Sequence, residues 1–297
     1  DNIMECRNLV KYYPGCLALN SVSLAVPKGQ IVGLLGPNGS GKTTLIKLMN
    51  GLLTPTSGEI LVNGMKPGVE TKRIVSYLPE RTYLNDWMDV KTMTDFFGDF
   101  YKDFRKDKAY EMLQRLGINP KDRLKTMSKG TKEKVQLILV MSREAELYVL
   151  DEPIGGVDPA TRDYILNTII SNYSENATVI ISTHLISDVE KILDGVIFIN
   201  KGSIVVEDSM DKLLNTDREK YRILTAQKNK LKNVLSSLAL KISDIEGGIL
   251  IEINRGDFKL INKLIGDNNI EIIDISKEES SLEDYFMKEV VEQYDKK

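Results

Sequence analysis

Residues 36–44 read Gly-Pro-Asn-Gly-Ser-Gly-Lys-Thr-Thr, directly after the apolar run 31–35 and directly before a helix-forming stretch, 42–50. Strand, glycine-rich loop and helix in that order is the setting in which G-x-x-x-x-G-K-[ST] cradles phosphate. Gly39 and Gly41 permit backbone conformations that turn successive N–H groups inward, an anion nest at a helix N-terminus. In such a loop Lys42 reaches the β- and γ-phosphates and the Thr43 hydroxyl ligates Mg²⁺. The chemistry implied is binding of a nucleoside triphosphate.

A second group of residues suits hydrolysis. The run 147–152, Leu-Tyr-Val-Leu-Asp-Glu, is an apolar strand ending in two carboxylates. A strand buried on both faces reads as an unbroken apolar run, and acids at its C-terminal end stand where ligands bind in a parallel sheet. With a phosphate loop nearby, Asp151 holds Mg²⁺ through water and Glu152 polarises the attacking water. His184, the one histidine in the chain, ends another apolar strand, 178–183. It is either structural or a hydrogen-bond donor to the γ-phosphate. Tyr13 precedes a Pro14-Gly15 turn and is either core or a flat surface for a base. Ser128 opens a helix, for which capping is explanation enough. Capping leaves Gly130 unexplained.

These residues need a scaffold of alternating strands and helices. Short strands are expected at 3–10, 22–26, 59–62, 74–78, 147–152, 178–183, 195–200 and 203–207, with helices at 42–50, 107–116, 128–142, 160–173 and 187–193. Residues 83–104 carry aromatics at helical spacing, and most of these are expected in the core. Tyr83, Trp87 and Met88 precede the regular pattern and are expected on a partner-facing loop. After residue 208 the pattern shifts to strand 221–225, helix 228–240, strands 240–244 and 248–253, helix 256–265, strand 270–275 and helix 282–293. The order βαββαβ suggests a small ferredoxin-like unit. Ser280-Ser-Leu-Glu283 fits a capping box for the last helix. Domains are expected at 1–215 and 216–297.

Composition narrows the partners. The 297 residues carry a net charge of −3, which gives no pull toward nucleic acid. Cys6 and Cys16 lack metal-ligand spacing and read as reduced cytosolic thiols. No window approaches eighteen apolar residues, so any membrane role is expected to come through a partner.

Residues 1 to about 215 resemble the ATP-binding subunit of an ABC transporter. The resemblance rests on residues 36–44, Pro-Thr-Ser-Gly-Glu-Ile (55–60), Leu-Asp-Glu-Pro (150–153) and Ser-Thr-His (182–184), in the family's order and approximate spacing. It implies an α/β P-loop ATPase: a RecA-like core, an N-terminal antiparallel β subdomain and a helical signature subdomain, here with a small α+β C-terminal domain. It implies that two ATPase subunits, as a homodimer or heterodimer, clamp two ATP and drive an integral membrane permease from its cytoplasmic side. By position, Tyr13 matches the adenine-stacking aromatic. Asn38, Gly39, Ser40, Gly41, Lys42, Thr43 and Thr44 match the Walker A loop. Asp151 matches Walker B, Glu152 the general base and His184 the switch histidine. Asp158 matches the D-loop acid, and Ser128 with Gly130 the signature motif that meets the opposite subunit's ATP.

Two departures stand out. The signature, usually Leu-Ser-Gly-Gly-Gln, is Met127-Ser-Lys-Gly-Thr131, and the Q-loop glutamine, a Mg²⁺ ligand, is replaced by Glu80. A carboxylate still ligates Mg²⁺ but adds negative charge beside the γ-phosphate, so altered metal dependence or slower turnover is expected. Lys129, Glu80 and the ending Ser-Leu-Glu-Asp-Tyr-Phe (281–286) resemble ABC-2 type exporters of drugs, peptides or polysaccharide. Tyr83, Trp87 and Met88 then fall where the permease docks. The alternatives are a soluble ABC ATPase and a regulatory subunit that binds ATP without coupling to transport.

Overall fold

The strands β1 (Asn2–Tyr13) and β2 (Cys16–Pro27) turn at Pro14-Gly15, where Gly15 adopts φ 79°. Both run further than their apolar alternation suggests, because Tyr12 pairs with Leu17 and Tyr13 with Cys16 right up to the turn. The computed structural model describes residues 1–82, 84–214, 218–238 and 240–287. The chain divides after Met210 into two compact units.

In the first unit, β4 (Ser57–Val62) pairs with β1 to complete an antiparallel sheet of order β2-β1-β4. The second sheet holds β3 (Ile31–Leu35), β5 (Val75–Leu78), β6 (Leu147–Asp151), β7 (Thr178–Thr183), β8 (Gly195–Asn200) and β9 (Ser203–Ser209). Its order is β5-β6-β7-β3-β8-β9, parallel except for the β8–β9 hairpin. Every residue of β3, β6 and β7 is buried, as parallel strands covered on both faces require. Helix α1 (Lys42–Met49) leaves the end of β3, and α2 (Val69–Lys72), α6 (Pro159–Asn172) and α7 (Ile186–Val189) connect other strands. The C-terminal ends of β3, β6 and β7 therefore open together, where an α/β sheet binds ligands.

Helices α3 (Val90–Phe100), α4 (Lys106–Arg115) and α5 (Lys129–Met141) build a separate apolar core around Val90, Phe97, Leu113, Val135 and Leu139. Asp89 caps α3, its Oδ1 accepting from the Thr92 N–H at 2.7 Å. The expectation that most aromatics of 83–104 are core holds for Phe97 and Phe104 but fails for two others. Phe96 is 53% exposed and Phe100 67% exposed. Four residues apart on a helix, they share the outer face while Met93 and Phe97 share the inner one. Among the described residues no helix is long and apolar enough to cross a membrane.

The second unit begins within α8 (Met210–Leu214) and continues β10 (Arg218–Leu224), α9 (Lys228–Leu235), β11 (Lys241–Ile245), β12 (Gly248–Asn254), α10 (Phe258–Asp267) and β13 (Asp274–Glu278). All neighbours in the order β11-β12-β10-β13 are antiparallel, which is the split βαββαβ sheet. Ile223, Ile249, Ile251 and Ile253 pack beneath Leu231, Leu235, Ile261 and Ile265. The last strand lies at 274–278 rather than 270–275, because Ile270 is drawn into this core ahead of the strand while Ile273 stays 72% exposed. Ser281, not Ser280, caps the final helix, its Oγ accepting from the Asp284 N–H at 3.1 Å. That helix is described from 282 to 287, and the rest of its expected span lies outside the described residues.

Candidate functional site

The loop after β3 is shaped by close approach. A Cβ on Gly36 would lie 2.1 Å from the Ile199 carbonyl oxygen, and one on Gly41 would lie 2.8 Å from that of Ala18. Gly39 and Gly41 adopt φ 76° and 110°, and Gly41 is the N-cap of α1. The buried Lys42 ammonium donates to the carbonyls of Gly36 (2.8 Å) and Pro37 (3.0 Å) and lies 3.6 Å from Glu152 Oε1. Burial pushes its pKa down, and the nearby Glu152 charge opposes that shift.

Asp151 closes β6 beside Ser182 of β7, with which it is in register. The Ser182 hydroxyl donates to Asp151 Oδ1 at 2.6 Å and accepts from the Glu152 N–H at 3.0 Å. Thr43 Oγ1 lies 3.4 Å from the same Oδ1. Asp151 Oδ2 is buried without a partner among the described residues. Burial raises the Asp151 carboxyl above its ordinary range, with the Ser182 and Thr43 hydrogen bonds opposing. An unpaired carboxylate oxygen next to a threonine hydroxyl is a donor set that fits a hard divalent cation. Three metal-ligating side chains do not cluster among the described residues.

Glu152 sits one residue further on at φ 48°, in the left-handed region. Its side chain is largely buried, Oε1 lies 3.2 Å from His184 Nδ1, and Oε2 has no partner among the described residues. A cleft of about 570 Å³ gathers Tyr13, Asn38, Gly39, Gly41, Lys42, Thr43, Thr44, Glu80 and Glu152. Ser40 stands behind the loop with its buried hydroxyl unpaired among the described residues.

Three expected site residues lie elsewhere. Ser128 caps α5, accepting from the Thr131 N–H at 3.2 Å, and Asp158 caps α6, taking Thr161 N–H at 3.0 Å and the Thr161 hydroxyl at 2.7 Å. The Thr161 hydrogen bonds hold Asp158 below the usual carboxylate range. A Cβ on Gly130 would lie 3.3 Å from Thr161 Oγ1 and 4.0 Å from Asp158 Oδ2, so both helix starts meet in one place. The Lys129 ammonium lies against Gly156, 3.2 Å from where a Cβ would be. None of Ser128, Gly130 and Asp158 lines the cleft. Of the expected partner-facing residues, Trp87 is 68% exposed, Met88 is half-buried against the helical core, and Tyr83 lies outside the described residues.

Sequence reasoning passed over Ser182, Lys201 and Cys16. Ser182 stands two residues before His184 in the strand that carries it, which was the available signal. Lys201 and Cys16 line the cleft from hairpin turns and carry no motif.

The comparisons with known proteins reach beyond the cleft. Residues 19–155 match the ABC transporter family. The chain is 31% identical over 299 residues to YdbJ of Bacillus subtilis, an uncharacterized ABC transporter ATP-binding protein, spanning 96% of this chain and 94% of the relative. It is 30% identical to the bacitracin transport ATP-binding protein BcrA of Bacillus licheniformis, spanning 96% of each chain. A solved ATP-binding subunit of an ABC transporter superposes with a TM-score of 0.65 at 27% identity, over 71% of this chain and 91% of that one. Such end-to-end relatives turn a nucleotide cleft into a family assignment: this chain belongs to the ABC transporter ATP-binding proteins, ATPases that as a family bind ATP, dimerise and pair with a permease.

Proposed function

We propose that this chain hydrolyses Mg²⁺-ATP to drive a separate permease that exports a drug, a peptide, or a lipid or polysaccharide. The observation carrying the hydrolytic part is the pair of buried oxygens, Asp151 Oδ2 and Glu152 Oε2, that lack partners among the described residues beside Lys42 and Thr43. The export reading is supported by the likeness to a bacitracin transport protein over nearly the whole of both chains.

The loop from Asn38 to Thr44 wraps the triphosphate with its N–H groups, and Tyr13 stacks on the base. Lys42 exchanges its carbonyl partners for β- and γ-phosphate oxygens. Thr43, Asp151 and Glu80 would hold Mg²⁺, which would neutralise the phosphate charge. Glu152 orients the attacking water and takes its proton, while His184 donates to the γ-phosphate. Catalysis comes mainly from positioning and electrostatics.

Ser128, Gly130 and Asp158 then serve the ATP of a second subunit, across a seam that both helix starts face. Their exposure from the cleft of their own chain is consistent with that role. Trp87 contributes to the permease-docking surface, which places the assembly at the cytoplasmic face of a membrane. Residues 216–297 form an accessory domain that stabilises the dimer or regulates it. Deleting it and finding ATP-dependent dimerisation and transport unchanged would sink that last point.

The deciding experiment is a mild-detergent pull-down from native membranes combined with ATPase assays of the purified chain. Co-purification of a polytopic membrane protein near stoichiometry, with turnover that Glu152→Gln abolishes, is the expected result. Recovery without any membrane protein overturns the transport reading. Negligible turnover in the wild type favours a regulatory subunit, a reading that the extra negative charge of Glu80 in the cleft would explain.

A further inference from the structure

Most of the buried polar atoms left without partners among the described residues have a ready explanation. Glu152 lines the nucleotide cleft, Asp151 lies beside Thr43 of its wall, and Ser40 belongs to the loop that forms it. Arg162 Nε is the spare nitrogen of a guanidinium already bonded to Asp188 and the Val157 carbonyl. Gln136 is different. It is fully buried, it does not line the cleft, and both ends of its carboxamide are unpaired among the described residues. Such an arrangement is costly, and an apolar side chain of the same length would avoid it.

Contacts on either side fix where Gln136 lies. Along one face of α5, Lys132 pairs with Asp86 at 2.8 Å and Glu133 accepts from Thr82 Oγ1 at 3.4 Å. Further along, the Val140 carbonyl accepts from Ser76 Oγ at 2.8 Å. Gln136 stands on that face between positions 133 and 140, three residues from one and four from the other. The contacts that bracket it, to Thr82 and to Ser76, span the end of β5 and the start of the loop bearing Glu80. Glu80 in turn lines the nucleotide cleft with Lys42 and Thr43.

We infer that Gln136 is a positioning residue for the Glu80 loop. In the loaded state, backbone groups of residues 79–82 turn onto its carboxamide and hold Glu80 in its working place. The inference rests on the reading of Glu80 as a group that meets the metal-bound nucleotide. An amide without partners among the described residues that gains them in the loaded state biases the equilibrium toward the loaded arrangement when nucleotide arrives. It also links that event to α5, whose N-terminal end carries Ser128 and Lys129.

The test is Gln136→Met in the full chain, which removes both polar ends at nearly constant length, with Gln136→Leu as the second variant. Thermal unfolding with and without Mg-ATP and steady-state hydrolysis are measured together. Expected are a nucleotide-free Tm higher by about 2–4 °C, a smaller Mg-ATP-induced rise than in the wild type, a KM for ATP raised in step with that smaller rise, and a kcat lower by about tenfold because Glu80 is no longer held in place. In a Glu80→Ala background the kcat effect of Gln136→Met should vanish, because the two act as one unit. A lower nucleotide-free Tm with unchanged kcat would mean that Gln136 serves a buried water or a purely structural partner, and would overturn the inference. A wild type with neither Mg-ATP stabilisation nor turnover overturns the hydrolase reading itself. A wild type showing both, with Gln136→Met equal to it in kcat, overturns this inference alone.

Discussion

Glu152 Oε1 lies 3.2 Å from His184 Nδ1 and 3.6 Å from Lys42 Nζ, so groups carried by β7 and α1 converge on one oxygen of a side chain that follows β6. The other oxygen is left for a ligand. Glu152→Gln preserves the shape and the hydrogen-bonding reach but removes the carboxylate proposed as the base. Phosphate release should fall by about 10²–10⁴-fold, while binding of a fluorescent ATP analogue stays within a few-fold of wild type. Equal turnover in the two proteins would remove Glu152 from the role of base.

Asp151 gives a prediction with opposite signs for stability and activity. Burial raises its folded pKa above the unfolded value. The folded chain thus gains stability from this group below the ordinary carboxylate pKa and loses it as pH rises through the folded value. At neutral pH the buried charge is a net cost. Asp151→Asn should raise the nucleotide-free Tm by about 2–4 °C and abolish Mg²⁺-dependent hydrolysis. A lowered Tm in the same scan would contradict the sign.

Ser182 donates to Asp151 and accepts from the Glu152 N–H, so one hydroxyl orients both acids. Ser182→Ala removes a charge-assisted hydrogen bond, worth about 1.5–3 kcal/mol. The same change removes the partner of the Glu152 amide. Chemical denaturation should report that loss, and kcat should fall more than KM rises. A variant with wild-type kcat would assign the hydroxyl a purely structural part.

Gly36 admits no side chain. A Cβ there would meet the Ile199 carbonyl at 2.1 Å, and backbone cannot step aside as a side-chain tip can. Gly36→Ala should cost at least about 1–3 kcal/mol and weaken nucleotide binding. Unchanged denaturation midpoints would refute the packing argument.

The two thiols should behave as opposites. Cys6 is buried and its pKa is pushed up to about 12, whereas Cys16 is exposed and lines the nucleotide cleft. At pH 8 N-ethylmaleimide should modify one thiol, identified as Cys16 by peptide mapping, and Mg-ATP should slow the reaction. Labelling of Cys6 in the native chain would contradict the burial.

What was legible in the sequence were features that a short stretch decides by itself. The loop 36–44, the acids at 151–152 and the histidine at 184 follow strands whose unbroken apolar runs announce a parallel sheet. The βαββαβ order of the second unit was legible from its alternating strand and helix patterns. Features set by partners distant in sequence were not. Phe96 and Phe97 are adjacent aromatics, and only the packing of α4 and α5 decides that one is exposed and the other buried. Ser182 looks like any polar strand end until β6 is set beside it. Ile270 to Ile273 read as a strand because four residues cannot reveal that the first is claimed by a helical layer.

The left-handed backbone of Glu152 has a consequence for how such a chain changes over generations. A non-glycine residue at φ 48° is held there against its own preference, and glycine or asparagine would sit more easily. Replacement by glycine or asparagine, expected to silence hydrolysis, therefore relieves the backbone at this position. A duplicated copy freed from selection on turnover is expected to drift toward a well-folded subunit that grips ATP without cleaving it, so inactive partners of this chain should arise readily beside active ones.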